Sequence, residues 1–257
     1  MTRGAAAGRR SAAPPAPPLC IGHRGASALA PENTLAAFET AIGDGADGLE
    51  FDVRLTRDGV PIVLHDAALD RTTSGRGAVA ALDLASIRRL DAGAWFGARF
   101  RGERVPTLAE TLDLARGRCA VNIELKDEGG DAVSLARAVG AVITRARFPG
   151  LLLVSSFSRP ALRAARAAMP RTALGWLASR SARGLRATHA AVGLWSFHPH
   201  LRLATPRRLR AARHLGLRLL VWPVNDGRAA RRLAAAEVDG LMTDDPARMR
   251  VWIESVA

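Results

Sequence analysis

Gly48-Leu49-Glu50-Phe51-Asp52-Val53 decides how this chain folds. In an extended strand residues two apart share a face, so Glu50 and Asp52 point one way and Leu49, Phe51 and Val53 the other. Two carboxylates side by side on one face of an otherwise apolar strand repel each other, and at least one protonates unless a cation stands between them. A divalent metal removes that conflict. Two flanking stretches carry the complementary chemistry: Ile21-Gly22-His23-Arg24-Gly25 upstream, and Pro61-Ile62-Val63-Leu64-His65-Asp66 downstream. Each reads as a strand whose end presents a histidine.

Outward from that core, Pro31-Glu32-Asn33-Thr34 leads into a helix over Leu35 to Ile42 that stops at Gly43 and Gly45. Asp58-Gly59 marks a tight turn, so Val60 to Leu64 folds back on the carboxylate strand as a hairpin and brings His65 toward the site. From Asp66 to Pro106 the pattern is irregular, with turn residues at Thr72-Thr73-Ser74-Gly75, a short helix near Leu84 to Leu90, and exposed Trp95 and Phe96; it reads as an insertion between a strand and its helix. Thr107 and Glu110 have capping-box spacing for a helix to Ala115.

Strands and helices then alternate. The strands are expected at Ala120 to Leu125, Leu151 to Ser155, Thr172 to Leu177, Val192 to Phe197, Leu217 to Trp222 and Gly240 to Thr243. Helices are expected near Ala132 to Arg147, Pro160 to Ala168, Ser181 to Thr188, Pro206 to Leu215, Gly227 to Ala236 and Pro246 to Ile253. Without the hairpin strand this makes eight strand–helix units, the tally of an α/β protein closed as a (β/α)₈ TIM barrel. An open doubly wound sheet would carry a Gly-rich phosphate turn after its first strand, and Gly22-His23-Arg24-Gly25 has neither that spacing nor that composition.

The bulk properties agree with a globular domain. The chain has 257 residues, 48% of them hydrophobic. Residues 1–18 form an Ala-, Pro- and Arg-rich tail with no apolar core of a secretory signal, and 19–257 hold the barrel. Apolar runs such as Leu151 to Val154 are far too short to span a bilayer. Cys20 and Cys119 read as buried structural thiols in a reducing cytoplasm. The net charge of +13 is spread over helices such as Pro160 to Ala168 and Pro206 to Arg213 with few aromatics between, a solvated surface rather than a nucleic-acid groove. Lys126 is the only lysine among 37 basic residues, which marks its position as one that wants an ammonium.

His23-Arg24-Gly25, Pro31-Glu32-Asn33-Thr34, Glu50-Phe51-Asp52-Val53, Asp58-Gly59, His65-Asp66, Leu69-Asp70-Arg71-Thr72-Thr73, Pro106-Thr107-Leu108, Glu124-Leu125-Lys126, Trp222-Pro223-Val224-Asn225 and Asp239-Gly240 through Thr243-Asp244 occur in that order. In this order the chain resembles the glycerophosphodiester phosphodiesterases from Ile21 to its C-terminus. That resemblance implies a (β/α)₈ barrel with a small insertion after the second strand. It implies Glu50, Asp52 and Glu124 as ligands of one divalent ion, and an oxygen-only set suits Mg²⁺ or Ca²⁺. It implies His23 and His65 as the acid–base pair, Arg24 and Lys126 as phosphate-holding cations, and Trp222 and Asn225 as substrate-lining positions. Pro223 stands where the family usually has Thr, and proline lacks a backbone donor.

Cleaving a phosphodiester requires one proton to be taken, one to be given, and phosphoryl charge to be neutralised. The expected substrate is a small glycerophosphodiester, hydrolysed to glycerol 3-phosphate and an alcohol. An alternative is lysophospholipase D chemistry, with Trp95, Phe96 and Phe100 as an apolar entrance. Another is a non-catalytic binder of anionic surfaces, with peripheral membrane contact through the Arg-rich helices. Which histidine is acid, which alcohol leaves, and the oligomeric state stay open at this level. Asp66, Arg71 and Asp244 are expected to brace loops, and His198-Pro199-His200 stands as a remoter candidate for substrate contact.

Overall fold

The computed structural model describes residues 17–127 and 131–255. The tail expected at 1–18 lies, for residues 1–16, outside the described residues.

The strands are β1 (Leu19–His23), β2 (Gly48–Leu55), β3 (Pro61–Val63), β4 (Ala120–Leu125), β5 (Leu152–Ser156), β6 (Ala173–Ala178), β7 (Ser196–Pro199), β8 (Arg218–Val221) and β9 (Gly240–Thr243). The helices are α1 (Leu35–Gly43), α2 (Leu84–Ile87), α3 (Leu108–Ala115), α4 (Ala132–Ala146), α5 (Arg159–Ala168), α6 (Leu185–Val192), α7 (Pro206–Arg213), α8 (Gly227–Ala235) and α9 (Pro246–Glu254). All strands but β3 are parallel, and β1 pairs with both β2 and β9, so the eight close into a barrel. β3 runs antiparallel on β2 outside the ring, with Val53 opposite Val63. The Asp58-Gly59 hairpin is therefore as expected.

The period-two pattern of β2 is fully used. Leu49, Phe51 and Val53 pack outward with Phe38 of α1 and with Leu108 and Leu112 of α3 in the layer between strands and helices, while Glu50 and Asp52 point into the barrel. The barrel interior toward its N-terminal end is filled by Ile21, Leu153, Leu220 and Met242. The insertion between β3 and α3 has its own small core of Ile62, Leu64, Leu69, Val79, Ile87, Ala92 and Val105. α3 opens with both halves of the capping box, Thr107 accepting from the Glu110 N–H and Glu110 accepting from the Thr107 N–H. Cys20 and Cys119 are free thiols, and burial pushes them up to about 12 and about 11.

Most boundaries shift by one to three residues, and the largest departure from the sequence reading is at α6 and β7. α6 starts at Leu185 rather than Ser181 and carries through Val192, so β7 begins at Ser196. Leu185, Thr188 and Val192 recur at helical spacing on the buried face of α6, and Gly193 ends it in the left-handed conformation. Packing of that face outweighs the strand propensity of a β-branched valine.

His198 is fully buried inside the barrel, its Nε2 2.7 Å from Ser196 Oγ. The ring lies over Gly175, where a Cβ would come within 2.5 Å of Nε2. This removes His198 from substrate contact. Burial pushes its pKa from 6.5 down to about 3. The unfolded chain protonates His198 below pH 6.5 and the folded chain does not, so its stability contribution is intact above pH 6.5. It is lost at roughly 1.4 kcal/mol per pH unit as pH falls toward 3. Urea unfolding at pH 7.5 and pH 5 measures this: wild type is expected to lose about 2 kcal/mol more than His198→Gln. Equal losses would show that His198 takes a proton in the folded state.

Candidate active site

The register of the closed barrel assembles the site. His23 lies opposite Glu50 across β1–β2, and Asp52 lies opposite Glu124 across β2–β4. One atom from each of Glu50, Asp52 and Glu124 falls within 4.8 Å of the others, and all three residues are buried. His23, Arg24, Glu50, His65, Glu124, Lys126, Trp222 and, completing the wall, Phe157, Leu177 and Met242 border one cleft of about 380 Å³ at the C-terminal end of the barrel. The structure thus brings eight of the nine expected site residues together, Asp52 lying behind the cleft. Asn225 is elsewhere: its side chain donates to Asp244 at 2.5 Å and accepts from the Asp244 N–H and Thr243 Oγ1.

The His-Arg-Gly sequence is a turn requirement as much as a chemical one. Arg24 and Gly25 both have positive φ, 58° and 84°, and a Cβ on Gly25 would lie 2.7 Å from the Ala37 carbonyl group. This turn sends Arg24 back over the carboxylates. Its N–H donates to the Glu50 carbonyl at 2.8 Å, Nη1 donates to Glu32 at 2.8 Å, and Nε lies 3.3 Å from Asp52. Asn33, also at positive φ, donates to Asp52 at 2.8 Å.

Lys126 is held by charge. Its Nζ lies 2.6 Å from Glu124 and 3.2 Å from Asp52. Burial opposes the ammonium, but Asp52 and Glu124 outweigh it and hold Lys126 above its ordinary value. Burial also pushes Asp52 up, and there Lys126 and Arg24, with the Asn33 hydrogen bond, win and keep it well below the carboxylate range. Glu50 and Glu124 go the other way. Burial, reinforced by the Asp52 charge, raises both above ordinary carboxylates despite the two cations. Two cations do not balance three buried carboxylates.

Each histidine is oriented by an aspartate. His23 Nδ1 is 2.7 Å from Asp244, and His65 Nδ1 is 2.6 Å from Asp66. A carboxylate only accepts, so Nδ1 carries the proton in both rings and Nε2 is the nitrogen free to exchange one. Burial pushes His65 below 6.5. Arg71 donates to both Asp66 and Glu32, chaining the two histidine turns together. Asp66, Arg71 and Asp244 are therefore more than loop braces, and Glu32 and Asn33 do more than open α1. The sequence signal for Asp66 and Asp244 was only their place just after a strand.

Trp95, Phe96 and Phe100 stack edge-to-face on one another and do not border the cleft, so the apolar entrance expected of a lysophospholipase D is not built from them. Trp222 does border it, packed against Phe157 at 5.4 Å and His200 at 5.1 Å between ring centroids.

Residues 23–248 match the model of the glycerophosphoryl diester phosphodiesterase family. A glycerophosphodiester phosphodiesterase of Caldanaerobacter subterraneus subsp. tengcongensis is 37% identical over 231 residues, 89% of this chain and 94% of that protein. Among solved structures, an Oleispira antarctica phosphodiesterase in complex with the product sn-glycerol-3-phosphate superposes with a TM-score of 0.88 at 32% identity, covering 93% of this chain and 97% of that one. A glycerophosphodiester phosphodiesterase from Agrobacterium tumefaciens gives 0.80 at 32% identity, covering 91% and 99%. With a barrel of this topology, a cleft of this composition and a match over nearly its whole described length, the chain belongs to the glycerophosphoryl diester phosphodiesterase family, a family of phosphoric diester hydrolases.

Proposed function

We propose that the chain hydrolyses glycerophosphodiesters to glycerol 3-phosphate and an alcohol, with Glu50, Asp52 and Glu124 holding one Mg²⁺ or Ca²⁺ and with His23 and His65 moving the protons. The observation that carries this reading is the pair of Asp-oriented histidines at one cleft with a buried three-carboxylate cluster. With all groups ionised, three carboxylates against Lys126 and Arg24 leave one net negative charge. A divalent ion makes it one net positive charge, which matches a singly charged phosphodiester. The all-oxygen donor set fits a hard cation. When bound, the ion neutralises charge on a phosphoryl oxygen as a Lewis acid.

The chain's own residues do the rest. Arg24 and Lys126 border the cleft as cations for the phosphoryl oxygens. His65, kept neutral near pH 7 by burial, takes at Nε2 the proton of the attacking water, or of a glycerol hydroxyl whose cyclic phosphate product a water then opens. His23, with its Nδ1–H held by Asp244, gives a second proton, carried at Nε2, to the leaving alcohol as the P–O bond breaks. Trp222 and Phe157 supply an apolar wall for the carbon skeleton. Asn225 acts one step back, by fixing Asp244.

The test is release of glycerol 3-phosphate from a panel of glycerophosphodiesters by wild type and Glu50→Ala, with Mg²⁺, Ca²⁺ or chelator. Metal-dependent release, abolished by the substitution, is expected. Release that persists in chelator would overturn the metal's part, and no release from any member of the panel would overturn the substrate class.

A further inference from the structure

We infer that the cleft end of the barrel docks on an anionic lipid bilayer through an arginine surface built by α5, α6, α7 and the loops that precede them. The charge of this protein is not scattered. Between Asp131 and Asp226 the chain contains no Asp or Glu at all, and it contains 16 of the 37 basic residues. The other parts of the chain hold 21 basic and 24 acidic residues, so the whole excess of positive charge belongs to the segment that folds as α4 to α7 and β5 to β8.

Within that segment, seven arginines lie in the strand-to-helix loops or first helical turns: Arg159, Arg180, Arg183, Arg186, Arg202, Arg207 and Arg208. In a parallel barrel those positions all sit at the strands' C-terminal end, the end that carries the cleft. All but the half-buried Arg208 are exposed. Arg159, Arg186, Arg207 and Arg208 occupy first turns that hold no acidic residue. A cation there opposes the helix macrodipole; Arg159 is held by the Arg183 carbonyl at 2.7 Å and by the Trp176 ring, whereas folding does not explain Arg186, Arg207 and Arg208. Four of the seven, Arg183, Arg186, Arg207 and Arg208, line the cleft end of a groove between α6 and α7 whose apolar floor begins at Leu185 and runs along the two helices to Leu215 beyond the end of α7.

An array of guanidinium groups over an apolar floor fits a layer of lipid phosphates with acyl chains beneath it. The same end of the molecule carries exposed Trp95, 43% accessible, and exposed Leu29, 37% accessible. They lie on neighbouring loops that Arg99 joins by donating to the Leu29 carbonyl at 2.9 Å. Across the barrel mouth from the arginine groove, this tryptophan adds a second anchor of the kind found in proteins that rest at a membrane interface. A nucleic acid is the poorer fit. The one aromatic ring bordering the groove, Phe197, is fully buried and offers no face for a base.

Sedimentation with vesicles tests this directly and independently of the reaction. Vesicles of phosphatidylcholine with about 30% phosphatidylglycerol are expected to bind the full chain, and phosphatidylcholine alone is not. The binding is expected to weaken at least tenfold between about 50 and 500 mM salt. The variant Arg183→Gln/Arg186→Gln/Arg207→Gln/Arg208→Gln is expected to bind anionic vesicles at least a hundredfold less, at about fivefold per arginine, with an unchanged thermal midpoint. Trp95→Ala alone is expected to weaken binding severalfold and to leave its salt dependence intact. Equal binding to neutral and anionic vesicles, undiminished binding of the quadruple variant, or duplex DNA bound more tightly than anionic vesicles would each overturn the inference.

Discussion

Alanine at His23 or at His65 is expected to lower turnover of a glycerophosphodiester by about 10²- to 10⁴-fold, the range for loss of one positioned proton-transfer group. Neither ring is buried in the core, and each is tied by a single Nδ1 hydrogen bond to an aspartate at a strand end, so both variants should fold and bind metal as wild type does. Steady-state kinetics across pH separates the two. Burial places the His65 pKa below 6.5, and the reaction needs its neutral form. Activity should therefore fall on the acid side with a midpoint below pH 6.5, and that limb should vanish from the residual activity of His65→Ala. Wild-type turnover in either alanine variant would remove that residue from the mechanism.

Lys126→Met is expected to be the most destabilising single change in the site. The ammonium bridges Asp52 and Glu124, at 3.2 and 2.6 Å, and its side chain is 5% exposed. Removing one partner of a buried charge cluster costs about 3 to 5 kcal/mol, because the remaining charges stay desolvated. Urea unfolding in chelator should show that loss. Added Mg²⁺ or Ca²⁺ should recover part of it by supplying positive charge to the same carboxylates. Turnover should nonetheless stay at least about 10²-fold down, since a cation at the phosphoryl oxygens is gone. Lys126→Arg keeps the charge and should regain most of the stability. A loss below about 1 kcal/mol in chelator would mean that Lys126 does not carry the carboxylates' charge.

The carboxylate strand could be recognised because side-chain alternation in a strand is local: Glu50 and Asp52 must share a face whatever the chain does elsewhere. The capping box at Thr107 and the Asp58-Gly59 hairpin are local in the same sense, and both appear as expected. Val192 reads as strand but belongs to α6, because helix and strand propensities compete within a few residues and only burial of the α6 face decides between them. From the sequence the arginines read as a solvated surface, because which seven of them share the cleft end depends on which loops meet there.

The sequence by itself determined the alternation of eight strands and helices, the inward face of β2, the histidine at each flanking strand end and the family to which their order belongs. The tertiary structure decided what those groups can do. Asp244 reaches His23 across 221 residues of chain because β9 closes the ring on β1, with Thr243 beside Gly22. Asn225 turns to that same aspartate rather than to the cleft, and His198 sits under Gly175 inside the barrel. Local patterns follow from backbone geometry over a few residues, whereas ring closure couples side chains that share no local constraint. The tautomer of each histidine, the imbalance of the buried charges and the arginine surface exist only once the barrel is closed.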